Sequence, residues 1–340
     1  MIEKQRDLSL YLPVYLIAIV IYIIAGIVEP VFFTWNNNIN LFTRITPLVL
    51  AALAQTFVIL TGGIDLSIGS IISLTNVVSA SLFCLNKLEY ITMVLFIVPL
   101  LGLATGLING FIITKGEFSP LIVTLATGAI WQGVALIIMP IPGGEVDLSI
   151  SRTLTGKIFN LIPFPLLIFL FFIFISYFIL KKTEFGRSIY ALGGNETIAY
   201  ESGIACKKIK FMAYGVSGVL GAFTGIFLSA WIFSGDPLVG SPYILNSIAV
   251  AVIGGTSLSG GKGGVLGIIG GAYIFLLISN ILNLWGISTF YQYVVKGLII
   301  IFALIISAGG LIKLRNFLVS FYFDKIIKNW KGGEQKYYKH

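Results

Sequence analysis

The chain has 340 residues, 57% hydrophobic and 11% charged, with a mean hydropathy of +0.98. Soluble domains carry about 25% charged residues, so these charges could not coat a soluble particle of this size. The net charge of +8 invites a nucleic-acid reading, but in so apolar a chain lysine and arginine report orientation across a bilayer.

The first element is a charged segment running into an apolar stretch, "MIEKQRDLSLYLPVYLIAIVIYIIAGIV", read as a spanning helix without a cleavable signal. Ten spans are expected in chain order, near 11–28, 44–60, 66–84, 91–114, 119–139, 161–180, 208–231, 244–257, 264–283 and 289–308. Many approach the ~20 apolar residues that cross a bilayer, and several are short or broken by glycine. A β-barrel would need alternating segments, and "PLLIFLFFIFISYFIL" does not alternate. The expected fold class is all-α: one polytopic transmembrane domain over 1–340, with short or broken helices near 61–70 and 254–264.

With the N-terminus in the cytoplasm, the inner segments hold seventeen basic residues: Lys4, Arg6, Lys115, Lys181, Lys182, Arg187, Lys207, Lys208, Lys210, Lys262, Lys313, Arg315, Lys325, Lys328, Lys331, Lys336 and Lys339. The outer segments hold four, Arg44, Lys87, Arg152 and Lys157. This asymmetry places both termini in the cytoplasm of a multi-pass plasma (inner) membrane protein. The tail at 309–340 then reads as a contact for lipid headgroups, and nucleic acid is not an expected partner.

After the second span, "TGGIDLSIG" (61–69) puts two glycines and Asp65 at membrane depth. A broken helix survives there only where protein or water satisfies its backbone. Asp65 and Ser67 can cap the next helix or line a gated path. Polar residues within the spans include Gln55, Asn76, Asn109, Gln132, Asn246 and Asn280. Each can hydrogen-bond a neutral polar solute or join two helices, the latter at about 0.6 kcal/mol. Lys296 sits inside the tenth span, as a path residue or as a partner of Asp65. The gating and path candidates are therefore Asp65, Ser67, Asn76, Asn109, Asn246 and Lys296.

The longest stretch between inner ends, about 183–205, contains "GGNETIAYESGI". Asn195 can cap a short helix after Gly193 and Gly194, Glu196 and Glu201 can meet a polar or basic surface, and Gly203 can end the helix. Further on, "GGTSLSGGKGG" (254–264) fails as a phosphate loop, because Thr256 stands where the first glycine belongs and Gly263 follows the lysine. It reads as a tight turn. It also echoes "GGIDLSIG" (62–69) in a shared G-G-x-x-L-S-x-G pattern. Paired glycine-broken spans in corresponding places point toward a transport path.

Cys84 and Cys206 fall near opposite faces, so neither a disulfide nor a metal framework is expected. The single histidine, His340, is terminal, which leaves no acid–base or nucleophilic constellation. No enzyme is expected and no cofactor in this chain.

"TGGIDLSIGSIISL" together with "SIAVAVIGGTSLSGGKGGVLGIIGGAYI" resembles the membrane permease subunit of ribose-type monosaccharide ABC importers. "FGRSIYALGGNETIAYESGI" is similar to that family's cytoplasmic loop and "YVVKGLIIIFAL" to its last span, so the resemblance runs through roughly 40–308. It implies import of a monosaccharide such as ribose, xylose or galactose. It also implies ATP bound by cytoplasmic ATPase subunits, an extracytoplasmic sugar-binding protein and a second permease copy. The ATPase-coupling candidates are Gly194, Asn195, Glu196, Glu201 and Gly203. Nucleoside and autoinducer permeases share much of the pattern. A secondary transporter, coupling through Asp65 and Lys296, is a further reading.

Overall fold

The computed structural model describes residues 2–83, 88–158 and 162–307. Cys84, Lys87, His340 and the basic tail at 309–340 lie outside the described residues.

The helices are α1 Ile2–Val28, α2 Trp35–Leu60, α3 Ile68–Phe83, α4 Leu88–Gly116, α5 Pro120–Ile138, α6 Leu148–Thr155, α7 Phe164–Lys182, α8 Glu184–Gly194, α9 Glu196–Glu201, α10 Cys206–Ile232, α11 Ser241–Ile253, α12 Val265–Leu284 and α13 Thr289–Ser307. Two-residue strands, β1 Lys157–Ile158 and β2 Ile162–Pro163, pair antiparallel ahead of α7. The protein is an all-α polytopic membrane protein. Among the described residues, seven helices are long and apolar enough to cross a bilayer, and three shorter apolar helices occupy 68–83, 241–253 and 289–302. All ten fall on expected segments, but the three shorter ones lack the length of a full span.

Differences from expectation have local causes. α2 begins at Trp35 rather than near 44, because the Thr34 hydroxyl caps it by accepting from the Asn37 N–H at 3.4 Å. The asparagines of "WNNNIN" stay in the helix through bonds of their own. Asn38 donates to the Phe32 and Thr34 carbonyls, and Asn37 accepts from Asn280 at 3.0 Å. Helices α6 and α8 are too short and polar to register as spans.

α2 is the central element. Every residue from Ile45 to Leu60 is buried. A helix apolar all round belongs in an interior, and here α3, α7, α10, α11 and α12 pack around it. α10 also lies along α4, where Gly102, Gly106 and Gly110 recur at every fourth residue. A β-carbon at Gly106 would collide with the Tyr214 carbonyl, and one at Gly102 with the Gly218 carbonyl. Such small-residue seams bring helix backbones together where lipid provides no hydrophobic driving force. α1, α4, α5 and α7 present Ile27, Phe96, Ile122 and Phe174 outward.

Candidate functional site

α2 ends in a left-handed turn. Gly62 has φ +83°, its N–H reaches the Ile59 carbonyl at 2.8 Å, and the Gly63 N–H reaches Val58 at 3.2 Å. This is the glycine stop of a Schellman motif. α11 ends identically, with Gly255 at φ +83°, its N–H on Val252 at 2.9 Å and the Thr256 N–H on Ala251 at 2.9 Å. The two breaks are thus structural equivalents. Their register is one residue away from the sequence echo: the string pairs Gly62 with Gly254, whereas the backbone pairs Gly62 with Gly255. The αL position fixes the true register, and the repeated glycines hid it.

Between α2 and α3, Thr61, Gly63, Asp65 and Ser67 are buried, and nearby side chains satisfy the backbone there. The Gln55 carboxamide of α2, in the orientation that pairs both its ends, donates to the Asp65 carbonyl at 3.0 Å and accepts from the Asp65 N–H at 3.2 Å. Thr124 of α5 accepts from the Leu66 N–H at 3.0 Å, and its hydroxyl proton is shared between the Pro120 carbonyl of its own helix at 2.8 Å and the Ile64 carbonyl at 3.3 Å. This is how a non-helical segment persists at membrane depth.

Asp65 is fully buried. Its Oδ1 accepts from the Ser67 N–H at 3.0 Å and the Ser67 hydroxyl at 2.6 Å, and its Oδ2 accepts from the Ser217 hydroxyl of α10 at 2.9 Å. It stands just ahead of α3, whose free N–H groups and macrodipole favour a negative charge there. Ser67 does not cap through its own hydroxyl. That hydroxyl donates to Asp65 and accepts from Asn109 Nδ2 of α4 at 2.7 Å. Four helices, α2, α4, α5 and α10, therefore converge on the broken segment that carries the carboxylate.

The remaining polar candidates separate by position. Asn76 is buried, donating to the Gly225 carbonyl at 3.4 Å and accepting from the Asp236 N–H at 2.7 Å. It ties the segment before α11 to α3 and α10, helped by Gln132, which donates to the Pro237 carbonyl at 2.6 Å. Asn246 on α11 is half-buried beside exposed Leu245. The partnership of Lys296 with Asp65 does not form. Lys296 Nζ lies over the Phe275 and Tyr293 rings, 5.8 and 5.9 Å from their centroids, while Asp65 takes its bonds from serines. Asp65 lies in the break between α2 and α3 and Lys296 on α13, so opposite charge alone did not bring them together.

The segment 183–205 forms two helices rather than one. Thr183 caps α8, accepting from the Gly186 N–H at 3.2 Å, and α8 continues through Gly193 and Gly194. Those glycines are helical, not a flexible lead-in. Asn195 caps α9, accepting from the Ile198 N–H at 3.1 Å, and Gly203 ends it at φ +83°. Glu196 is already engaged, with both carboxylate oxygens 2.7 Å from Lys210 Nζ on α10. The outward face of α9 carries Ile198, Tyr200 and Glu201 instead, with Tyr200 73% exposed. Lys207 meets Glu117 of the α4–α5 turn at 2.6 Å, so this turn and the start of α10 lie at one end of the bundle.

A family model described as "Branched-chain amino acid transport system / permease component" matches residues 37–304. The chain belongs to this permease family. The permease is 39% identical over 296 residues to the ribose import permease protein RbsC of Haemophilus influenzae, covering 85% of this chain and 90% of that one. It is 38% identical to RbsC of Bacillus subtilis, covering 85% and 89%. It is 34% identical to the D-allose transport system permease protein AlsC of Escherichia coli, covering 85% and 88%. No solved structure matches it. The matched span includes both helix breaks and α8–α9.

The sequence reading missed the supports of the permease's broken segment, Gln55, Thr124 and Ser217. It weighed Gln55 only as a generic polar residue. Thr124 and Ser217 carry no sequence signal, because a hydroxyl on an apolar helix bonds its own backbone as readily as a distant partner. The glycine seam of α4 had a legible signal in its four-residue spacing.

Proposed function

We propose that this permease is the membrane-spanning subunit of an ABC importer that carries a monosaccharide across the inner membrane, with both termini cytoplasmic. ATP is bound and hydrolysed by separate subunits that dock on α8–α9, and an external binding protein delivers the sugar. A second permease copy completes the path. The observation that carries the reading is similarity along 85% of the chain to permeases named for ribose and D-allose. Neutral sugars need hydrogen-bonding groups and no charge compensation, which suits the asparagine and serine candidates.

Of the six path candidates, Asp65, Ser67, Asn76 and Asn109 are sealed inside one chain in this conformation. They serve the path by shaping and gating it. Asn246, half-exposed on α11 next to a helix break, is the candidate for contact with the solute between two copies. The basic residues at the ends of α4 and α7, the start of α10 and the turn before α12 lie on the side of α8–α9, which supports a cytoplasmic docking face.

The family description favours a second substrate class, branched-chain amino acids. Proteoliposomes with the permease, its ATPase and its binding protein separate the two. Uptake of radiolabelled D-ribose or D-allose that requires ATP supports the sugar reading. Uptake of L-leucine without sugar uptake replaces it.

A further inference from the structure

We propose that Gly193, near the end of α8, is the point through which movement of the docking segment reaches both helix breaks at once. The inference rests on α8–α9 being the ATPase-docking face.

The two breaks touch each other. The Gly261 N–H, from the turn after α11, donates to the Leu60 carbonyl at the end of α2, at 3.1 Å. Gly193 is lodged at that bond. A β-carbon at Gly193 would collide with both the Leu60 carbonyl oxygen and the Gly261 amide nitrogen. The packing is reciprocal: a β-carbon at Gly260 would lie 2.9 Å from the Gly193 carbonyl oxygen and 3.0 Å from the Gly62 amide nitrogen. Three backbones, from α8, the first break and the second, thus meet without a side chain between them. One turn earlier on α8, the Tyr190 hydroxyl donates to the Gly263 carbonyl at 2.9 Å. Leu192, also on α8, is buried against Ala199 and Cys206, so α8, α9 and the start of α10 move as one packed piece.

Close backbone packing transmits displacement because nothing soft separates the parts. Movement of α8 by even one ångström must shift the Leu60 carbonyl, the Gly261 N–H or both. The same carbonyl ends the helix that holds Asp65 in place through Gln55. The second break belongs to the turn between α11 and α12, and α11 carries Asn246. One contact therefore links ATPase docking to the ends of both broken spans.

Two measurements test this on the full-length permease. The first is hydrogen–deuterium exchange of the purified chain, in which Gly193→Ala should raise amide exchange at least tenfold in both 58–67 and 254–264. Gly194→Ala is the reference, because its β-carbon meets nothing within 4 Å, and it should leave both segments at wild-type exchange. Tyr190→Phe, which keeps the packing and removes one hydrogen bond, should loosen 254–264 alone. Loosening of only one segment by Gly193→Ala, or of neither, overturns the proposal. The second measurement uses proteoliposomes carrying the ATPase that co-purifies with wild type. There Gly193→Ala should retain the ATPase and lose at least tenfold of ATP-driven D-ribose uptake per ATP hydrolysed. Unchanged coupling overturns the proposal as well. If no ATPase co-purifies with wild type, the docking reading falls, and the exchange measurement still decides whether the junction exists.

Discussion

The Ser217 hydroxyl on α10 donates to the Asp65 carboxylate at 2.9 Å, joining residues 152 positions apart. That bond anchors the first helix break to α10. It is one of three bonds that consume both carboxylate oxygens, so the role of Asp65 can be separated into shape and charge.

Asp65→Asn should fold with near-wild-type thermal stability and transport less. The amide oxygen can still accept from the Ser67 N–H, and the Ser217 hydroxyl can rotate to accept from the amide. Asp65→Leu strands the Ser67 N–H and the Ser217 hydroxyl, at about 1–3 kcal/mol for each buried donor. It should lower the unfolding midpoint in detergent as well as uptake. Thermal melts and vesicle uptake of both variants check this, and normal transport by both would leave Asp65 without either role.

Gln55→Leu should be more damaging than its neutral chemistry suggests. It removes the partner of the Asp65 N–H and carbonyl together and leaves two buried backbone groups unpaired. The expected loss is about 2–6 kcal/mol, taking about 1–3 kcal/mol per group. Gln55→Asn keeps both groups on a side chain one methylene shorter, so its loss should fall between wild type and leucine. Denaturant unfolding in mixed micelles orders the three.

Gly106→Leu should separate α4 from α10, because its side chain would have to occupy the space of the Tyr214 carbonyl. The shift would also draw Asn109 away from Ser67. A drop in the unfolding midpoint, together with faster exchange of the 61–67 amides, is the expected pair of observations. A drop in stability without that faster exchange would limit the seam to packing.

Ile198→Asp with Tyr200→Ala should abolish ATPase co-purification and leave the permease folded, because both side chains are exposed and support nothing within the chain. Replacing Glu196 and Gly203 together should also weaken the ATPase and stop uptake, by a different route. Glu196 loses its pairing with Lys210, and a residue other than glycine at φ +83° costs about 1–2 kcal/mol, so α9 itself would loosen. Circular dichroism, pull-down and uptake on both double variants distinguish a lost surface from a lost helix. An intact pull-down with the exposed-face variant would move the docking face elsewhere.

The sequence alone determined the class, the ten apolar segments, the charge asymmetry, both breaks and the caps of α9. All of these are local: hydropathy is summed over ~20 neighbours, a cap acts over three residues, and a left-handed stop needs one glycine. Only the tertiary structure decided who meets whom. It gave Asp65 to Ser217 rather than to Lys296, set Gln55 against a backbone instead of a solute, and engaged Glu196 with Lys210. It also joined the two breaks at Gly193, which the string showed as one of thirty-eight glycines. These pairings depend on how helices far apart in sequence turn and approach each other. In a membrane that approach is set by small-residue seams and hydrogen bonds across helices: glycine spacing marks one face of α4 but not its partner, and the cross-helix bonds follow no pattern in hydropathy.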